Sequence, residues 1–197
     1  MLVLSAILIF LGDFGFASPV LSIPVLQQKN PPSQAYFAEM LRTRAIRATT
    51  KSVRAGFEKV TFEIPVGWQA YALRQDDGGH HVHIEKVRPA HNFEMSDLGF
   101  TWMAQPHANK KNVKTLDDLQ RQLTNGKKKF YTVKSSGKDW LATEFESSWA
   151  PGTTSLQFQT LVPSGILTAI GIYETGHLKD RNTLFAILKS IQGELPE

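Results

Sequence analysis

From Val60 to Ile64 apolar and polar residues alternate, with Val60, Phe62 and Ile64 pointing one way and Thr61 and Glu63 the other. That two-residue period belongs to a half-buried strand, and Pro65 with Gly67-Trp68 behind it ends the run. Val82 and Ile84 repeat the pattern after a turn at Asp76-Asp77-Gly78-Gly79, and Leu98, Phe100 and Trp102 supply a further strand. The period then changes. Leu116, Leu119 and Leu123 fall on one helical stripe, opened by Thr115 with Asp118 three residues on, a capping box with Asp in place of the usual Glu. Asn125-Gly126 ends the helix, Gly126 suiting the left-handed turn there. Four strands follow, at about Phe130 to Ser135, Trp140 to Ser148, Ser155 to Val162 and Ile166 to Glu174, separated by Ser136-Gly137, Pro151-Gly152 and Ser164-Gly165. Turns this short make antiparallel neighbours. Leu184, Ile187, Leu188 and Ile191 sit at i, i+3, i+4 and i+7, the stripe of a C-terminal helix. The expected class is α+β, an antiparallel sheet flanked by helices in a single domain over residues 34–197.

The segments before residue 49 read differently. Leu2 to Leu11 is an apolar run, followed by Gly12, Asp13 and then Gly15-Phe16-Ala17, small residues where a signal peptidase reads. Residues 1–17 are expected to be a cleaved signal peptide, leaving Ser18-Pro19-Val20 as the new start, although no Lys or Arg precedes the run. A membrane span needs about 20 apolar residues, and Asp13, Pro19 and Pro24 interrupt this one. Residues 18–33 hold Pro19, Pro24, Pro31 and Pro32 and read as a Pro-rich tether. From Gln34 to Ala48, Tyr36, Phe37, Met40, Leu41 and Ile46 with Arg42, Arg44 and Arg47 form a short amphipathic helix, read as a cover for the domain, with a membrane-surface or partner-binding arm as the alternative. Export makes a periplasmic or secreted protein.

The strand VTFEIPVGW, the helix opened by TLDDLQRQL, the run of hairpins and the last helix LFAILKSIQ together resemble the PsbP-like superfamily, which includes the DcrB-like proteins. The resemblance covers about Phe57 to Gln192 and rests mainly on Phe62 to Trp68 and the final helix. It implies an α/β/α sandwich used for binding or assembly, with no catalytic residues shared among members, and for an uncleaved start the resemblance suggests a cytosolic effector-chaperone-like module instead. Fold alone does not carry function across so divergent a group.

The 197 residues contain no cysteine, which excludes thiolate catalysis, Cys-ligated zinc and iron–sulfur clusters. No nucleophile elbow, phosphate loop, HExxH helix or calcium loop appears, so catalysis has no support from motifs and no cofactor is implied. One constellation carries chemistry. In His80-His81-Val82-His83-Ile84-Glu85 the strand period puts His81, His83 and Glu85 on the face opposite Val82 and Ile84. Two imidazoles and a carboxylate can hold zinc or copper, with a carboxylate such as Glu63 to complete the set. Half-solvated strand faces also carry His and Glu routinely, and that plainer reading is preferred.

The net charge of +4 is uneven, for Thr101 to Lys138 carries nine Lys and Arg against two Asp. Lys110, Lys111, Lys114, Lys127, Lys128 and Lys129 are the candidate contacts to an acidic partner, either an envelope protein or an anionic membrane surface; nucleic acid is not expected. Lysines that guard sheet edges are the competing explanation. Four tryptophans and twelve phenylalanines mainly furnish a core, with a pocket for a small apolar ligand near Trp68 and Trp149 as the alternative. The function expected is a non-enzymatic exported binding or accessory protein, the alternative a periplasmic carrier of a lipid or other apolar small molecule.

Overall fold

The computed structural model describes residues 20–23, 25–27, 49, 51–74, 79–86, 99–104, 106–107, 113–123, 128–148 and 151–195. The signal-like start, the segment from Gln34 to Ala48, Lys110, Lys111, Lys127 and Trp149 lie outside them. Among the described residues, twelve strands and two helices follow in chain order. They are β1 Leu21–Ser22, β2 Val25–Gln27, β3 Val53–Phe57, β4 Val60–Ile64, β5 Trp68–Arg74, β6 His80–Lys86, β7 Gly99–Met103, α1 Leu116–Leu123, β8 Lys129–Ser135, β9 Lys138–Glu146, β10 Thr153–Val162, β11 Gly165–Glu174, α2 Leu178–Ser190 and β12 Gln192–Gly193.

Two sheets are formed, a four-stranded one ordered β1-β3-β4-β12 and an eight-stranded one ordered β2-β5-β6-β7-β11-β10-β9-β8. All neighbours are antiparallel except β1 on β3 and β2 on β5, which run parallel. The expected α+β class is overturned. The described residues are mostly β, with 58% strand against 17% helix, and a helix-flanked sheet, including the α/β/α layering that the family resemblance implied, does not describe them. The reason is that extended chain was undercounted. β5 is buried at six successive positions from Trp68 to Leu73 and so never alternates, β3 carries Arg54 and Gly56 inside its run, and β1, β2 and β12 are two or three residues long.

One face of the large sheet is covered by the small sheet and by α2. Phe62 of β4 meets Trp102 of β7 edge to face at 6.3 Å, and Phe185 of α2 meets Phe158 of β10 at 5.2 Å. Phe62, Phe158, Leu184, Ile187 and Leu188 are all buried in this main core, each large side chain contributing about 2–3 kcal/mol of transfer free energy. The predicted stripe of α2 is thus the buried one. Gly171 of β11 lets the helix approach, since a Cβ there would stand 2.7 Å from Leu184 Cδ1. On the opposite face α1 packs Leu119 with Leu141 and Ile166 in a separate small core. Its start is the predicted capping box, in which Thr115 Oγ1 accepts from the Asp118 N–H at 3.1 Å and Asp118 Oδ2 from the Thr115 N–H at 2.9 Å. No helix among the described residues is long and apolar enough to cross a membrane.

Candidate functional site

The alternation in β6 places the three candidate ligands as expected: Val82 and Ile84 are buried in the main core, and His81, His83 and Glu85 lie on the other face. Strand pairing decides what they meet. β5 sets Tyr71 opposite His83 and Gln69 opposite Glu85, while β7 sets Thr101 opposite His83. The Tyr71 ring stacks on the imidazole of His83 at 5.1 Å and 9°, and His83 Nδ1 is 3.1 Å from Thr101 Oγ1. Its Nε2 is sealed from solvent and has no hydrogen-bond partner, although the residue as a whole keeps a partly exposed edge. Glu85 accepts from Gln69 Nε2 at 2.7 Å and from the Tyr71 hydroxyl at 3.3 Å.

This arrangement holds His83 neutral. Burial first, and the neighbouring His81 second, lower its pKa from 6.5 to about 3. Burial, then the charge and hydrogen bond of Glu85, push the Tyr71 hydroxyl well above its ordinary value. The two imidazoles are 6.3 Å apart between ring centres and tilted by 42°, and among the described residues no group of three or more His, Asp or Glu converges as a metal site would require. Glu63 is not a neighbour of this strand at all. It belongs to β4 in the other sheet, where it bonds Arg54 at 3.1 Å and Ser52.

A second polar cluster, absent from the expectations, lies on the covered face at the opposite end of the sheet. Glu144 of β9 accepts from Arg181 Nε at 2.7 Å and Arg181 Nη2 at 3.3 Å, from the Tyr131 hydroxyl at 3.0 Å, and from the Tyr173 hydroxyl. The Arg181 guanidinium also lies over the rings of Phe185 at 4.7 Å and Tyr131 at 5.1 Å. Burial alone would raise the Glu144 pKa, but the bonds from Arg181, Tyr173 and Tyr131 and the guanidinium charge outweigh it and hold the carboxyl below its ordinary range. Tyr173 is pushed up to about 12 by burial and by Glu144. A carboxylate in phase with Trp140 and Ala142 on β9 was the available signal; its cation, on another element, had none.

Beyond this cluster lies the outer edge of the large sheet. β8 pairs with β9 on one side, and among the described residues no strand pairs with the other. The hairpin turn at Ser136 and Gly137 has positive φ at both residues, 50° and 70°, the signature of a type I′ turn. That turn makes Ser135 and Lys138 a hydrogen-bonded pair, so the backbone groups of Phe130, Thr132 and Lys134 point away from β9. Lys129 and Lys134 are exposed, and Lys128 is half-buried with its ammonium 5.6 Å from the centre of the Phe145 ring. Between β8 and α2 runs a groove of about 600 Å³, floored by Tyr131, Val133 and Phe185 and rimmed by Lys134, Arg181 and Lys189.

Of the lysines singled out, Lys129 lies on β8 with Lys134, Lys128 just before it lies over Phe145, and Lys114 is exposed just before α1, its backbone N–H donating to Asp118. Trp68 is buried in the main core, at 4% exposure, beside Ala70 and Ala72. No family model matches the chain, and no curated protein matches it.

Proposed function

We propose that the chain is a non-enzymatic, exported binding protein that recognises an envelope partner by taking an acidic, extended segment of it as an added strand along β8. The observation that supports this reading is the edge itself. Phe130, Thr132 and Lys134 of one strand offer outward backbone donors and acceptors, Lys129 precedes them and Lys134 is the last of them, and a groove with an aromatic floor and the cation of Lys189 runs alongside. Backbone pairing supplies affinity that is indifferent to sequence, while the lysines select acidic side chains. The signal-like stretch at residues 1–17 supports export.

A display library of random decapeptides tests the reading. Peptides that alternate Asp or Glu with Val or Ile are expected to be retained at low salt and released as salt rises. Thr132→Pro removes an outward donor from an exposed position without touching the β9 ladder and is expected to weaken retention at least tenfold. Lys129→Glu with Lys134→Glu is expected to reverse the charge preference. Retention of no peptide, or equal retention by the Thr132→Pro variant, overturns the reading, as does equal binding of both variants to anionic vesicles in place of peptides.

A further inference from the structure

Arg181, Phe185 and Lys189 follow one another at four-residue steps along α2, and all three line the groove beside β8. Four residues of helix advance about 6 Å, so the row reads cation, aromatic, cation over about 12 Å. It runs alongside β8 and in the same direction. Tyr131 lies against Arg181 at 5.1 Å and against Phe185 at 6.3 Å, and four residues later the Ser135 hydroxyl donates to the carbonyl of Leu188, the neighbour of Lys189. Two residues of strand advance about 6.6 Å, so side chains at i, i+2 and i+4 of a strand laid beside β8 keep step with the helix row. The ends of the row are open to a ligand. Arg181 gives Nε and Nη2 to Glu144, yet its side chain is 21% exposed and its Nη1 makes no hydrogen bond among the described residues. A guanidinium carries five N–H groups, so donors remain for a second carboxylate. Lys189 is exposed and has no ion-pair partner among the described residues. Lys134, also on the rim, is paired with Asp139 at 3.7 Å and adds little. Among the described residues no acidic side chain lines the groove.

We propose that the segment taken up along β8 carries two acidic residues four positions apart with an apolar residue midway, the acids meeting Arg181 and Lys189 and the apolar side chain lying on Phe185. The pattern rests on the strand-addition reading of the β8 edge and names what that edge selects. It is narrower than plain alternation of acidic and apolar residues, and being symmetrical it fits a strand running in either direction. Charge alone would accept any acidic peptide; the helix row adds a demand for spacing.

Binding of two fluorescent nonapeptides to the full chain tests the spacing. Ser-Thr-Glu-Thr-Val-Thr-Glu-Thr-Ser is expected to bind about fivefold more tightly than Ser-Thr-Val-Thr-Glu-Thr-Glu-Thr-Ser, which has the same composition and charge, the difference being one exposed charge pair. Replacing the central Val of the first peptide by Asp is expected to weaken binding although it adds negative charge. Lys189→Glu is expected to erase the preference for the first peptide. Arg181→Lys, which keeps a cation for Glu144 but lacks the second fork, is expected to cut it to about twofold. Equal binding of the two nonapeptides, with both weakened by Thr132→Pro, overturns the spacing and leaves the edge reading standing, as does tighter binding of the Asp peptide. Binding of neither, or binding that Thr132→Pro leaves unchanged, overturns the edge reading and the spacing with it.

Discussion

Glu144 and His83 stand on opposite faces of the same eight-stranded sheet, and the fold handles these two titratable groups by opposite means. Around Glu144 the partners hold the charged form against burial: a guanidinium and two tyrosine hydroxyls spend their donors on one carboxylate. Around His83 everything favours the neutral form, for a stacked phenol ring and a threonine hydroxyl solvate one nitrogen while the other is sealed away. Both pKa values move down, yet for unlike reasons: pairing overcomes burial in the first, and burial itself acts in the second. A carboxylate inside a protein is kept by finding it a cation. An imidazole is kept by denying it a proton.

The largest expected effect breaks the first arrangement. Arg181→Ala leaves Glu144 without its cation and is expected to lower unfolding free energy by about 3 kcal/mol in urea titrations, the lower end for a severed buried pair because the guanidinium keeps a solvent-facing edge. Adding Glu144→Gln to Arg181→Ala should recover part of that loss, and a double mutant no more stable than Arg181→Ala alone would show that the pairing is not what matters.

Next comes pH. The unfolded imidazole takes a proton near 6.5 and the folded one only near about 3, so His83 supports the fold fully above pH 6.5 and that support is lost progressively as pH falls through this window. Between pH 6.5 and 4.5 the expected loss is about 2 kcal/mol, and His83→Leu should flatten this slope in thermal or denaturant unfolding. Glu144 adds its own loss only lower, as pH falls below the ordinary glutamate value of 4.5 toward its depressed folded value. An unchanged slope in His83→Leu would refute the neutral-imidazole account.

Smaller effects sharpen the same contrast. Thr101→Val strips the partner from His83 Nδ1 and is expected to cost about 1 kcal/mol at pH 7.5, measured by urea unfolding. Tyr71→Phe keeps the stack and removes only the 3.3 Å bond to Glu85, which still accepts from Gln69, so its expected cost is about 0.5 kcal/mol.

Local pattern and distant partnership separate cleanly in this chain. The strand at Val60 to Ile64, the four hairpin strands, the capping box at Thr115 and the buried stripe of α2 were all legible, because each is decided by residues within a few positions of one another. The face shared by His81, His83 and Glu85 was legible for the same reason. Gln69 and Tyr71 were not, because β5 is buried on both faces and its unbroken burial from Trp68 to Leu73, Gln69 included, hides a strand from any test for alternation. Nor was the Arg181 partner of Glu144, 37 residues away on another element, or the separation of Glu63 from β6, which depends on which strands share a sheet. The class itself was misjudged at this level: whether a helix or a second sheet covers the main sheet is settled by pairing across the whole chain.

The two parallel strands at the start of the described chain bear on how the protein is made. β1 lies on β3 and β2 on β5, with buried Ile23 between them, so one short segment fastens an edge of each sheet. A parallel neighbour cannot form by folding back through a tight turn, and here each partner is synthesised after the strand that needs it. Residues 21–27 must therefore wait until more than forty later residues have emerged and β3 to β5 exist to receive them. Assembly runs backwards along the sequence here: β1 and β2 leave the ribosome before β3 and β5 and are laid down after them.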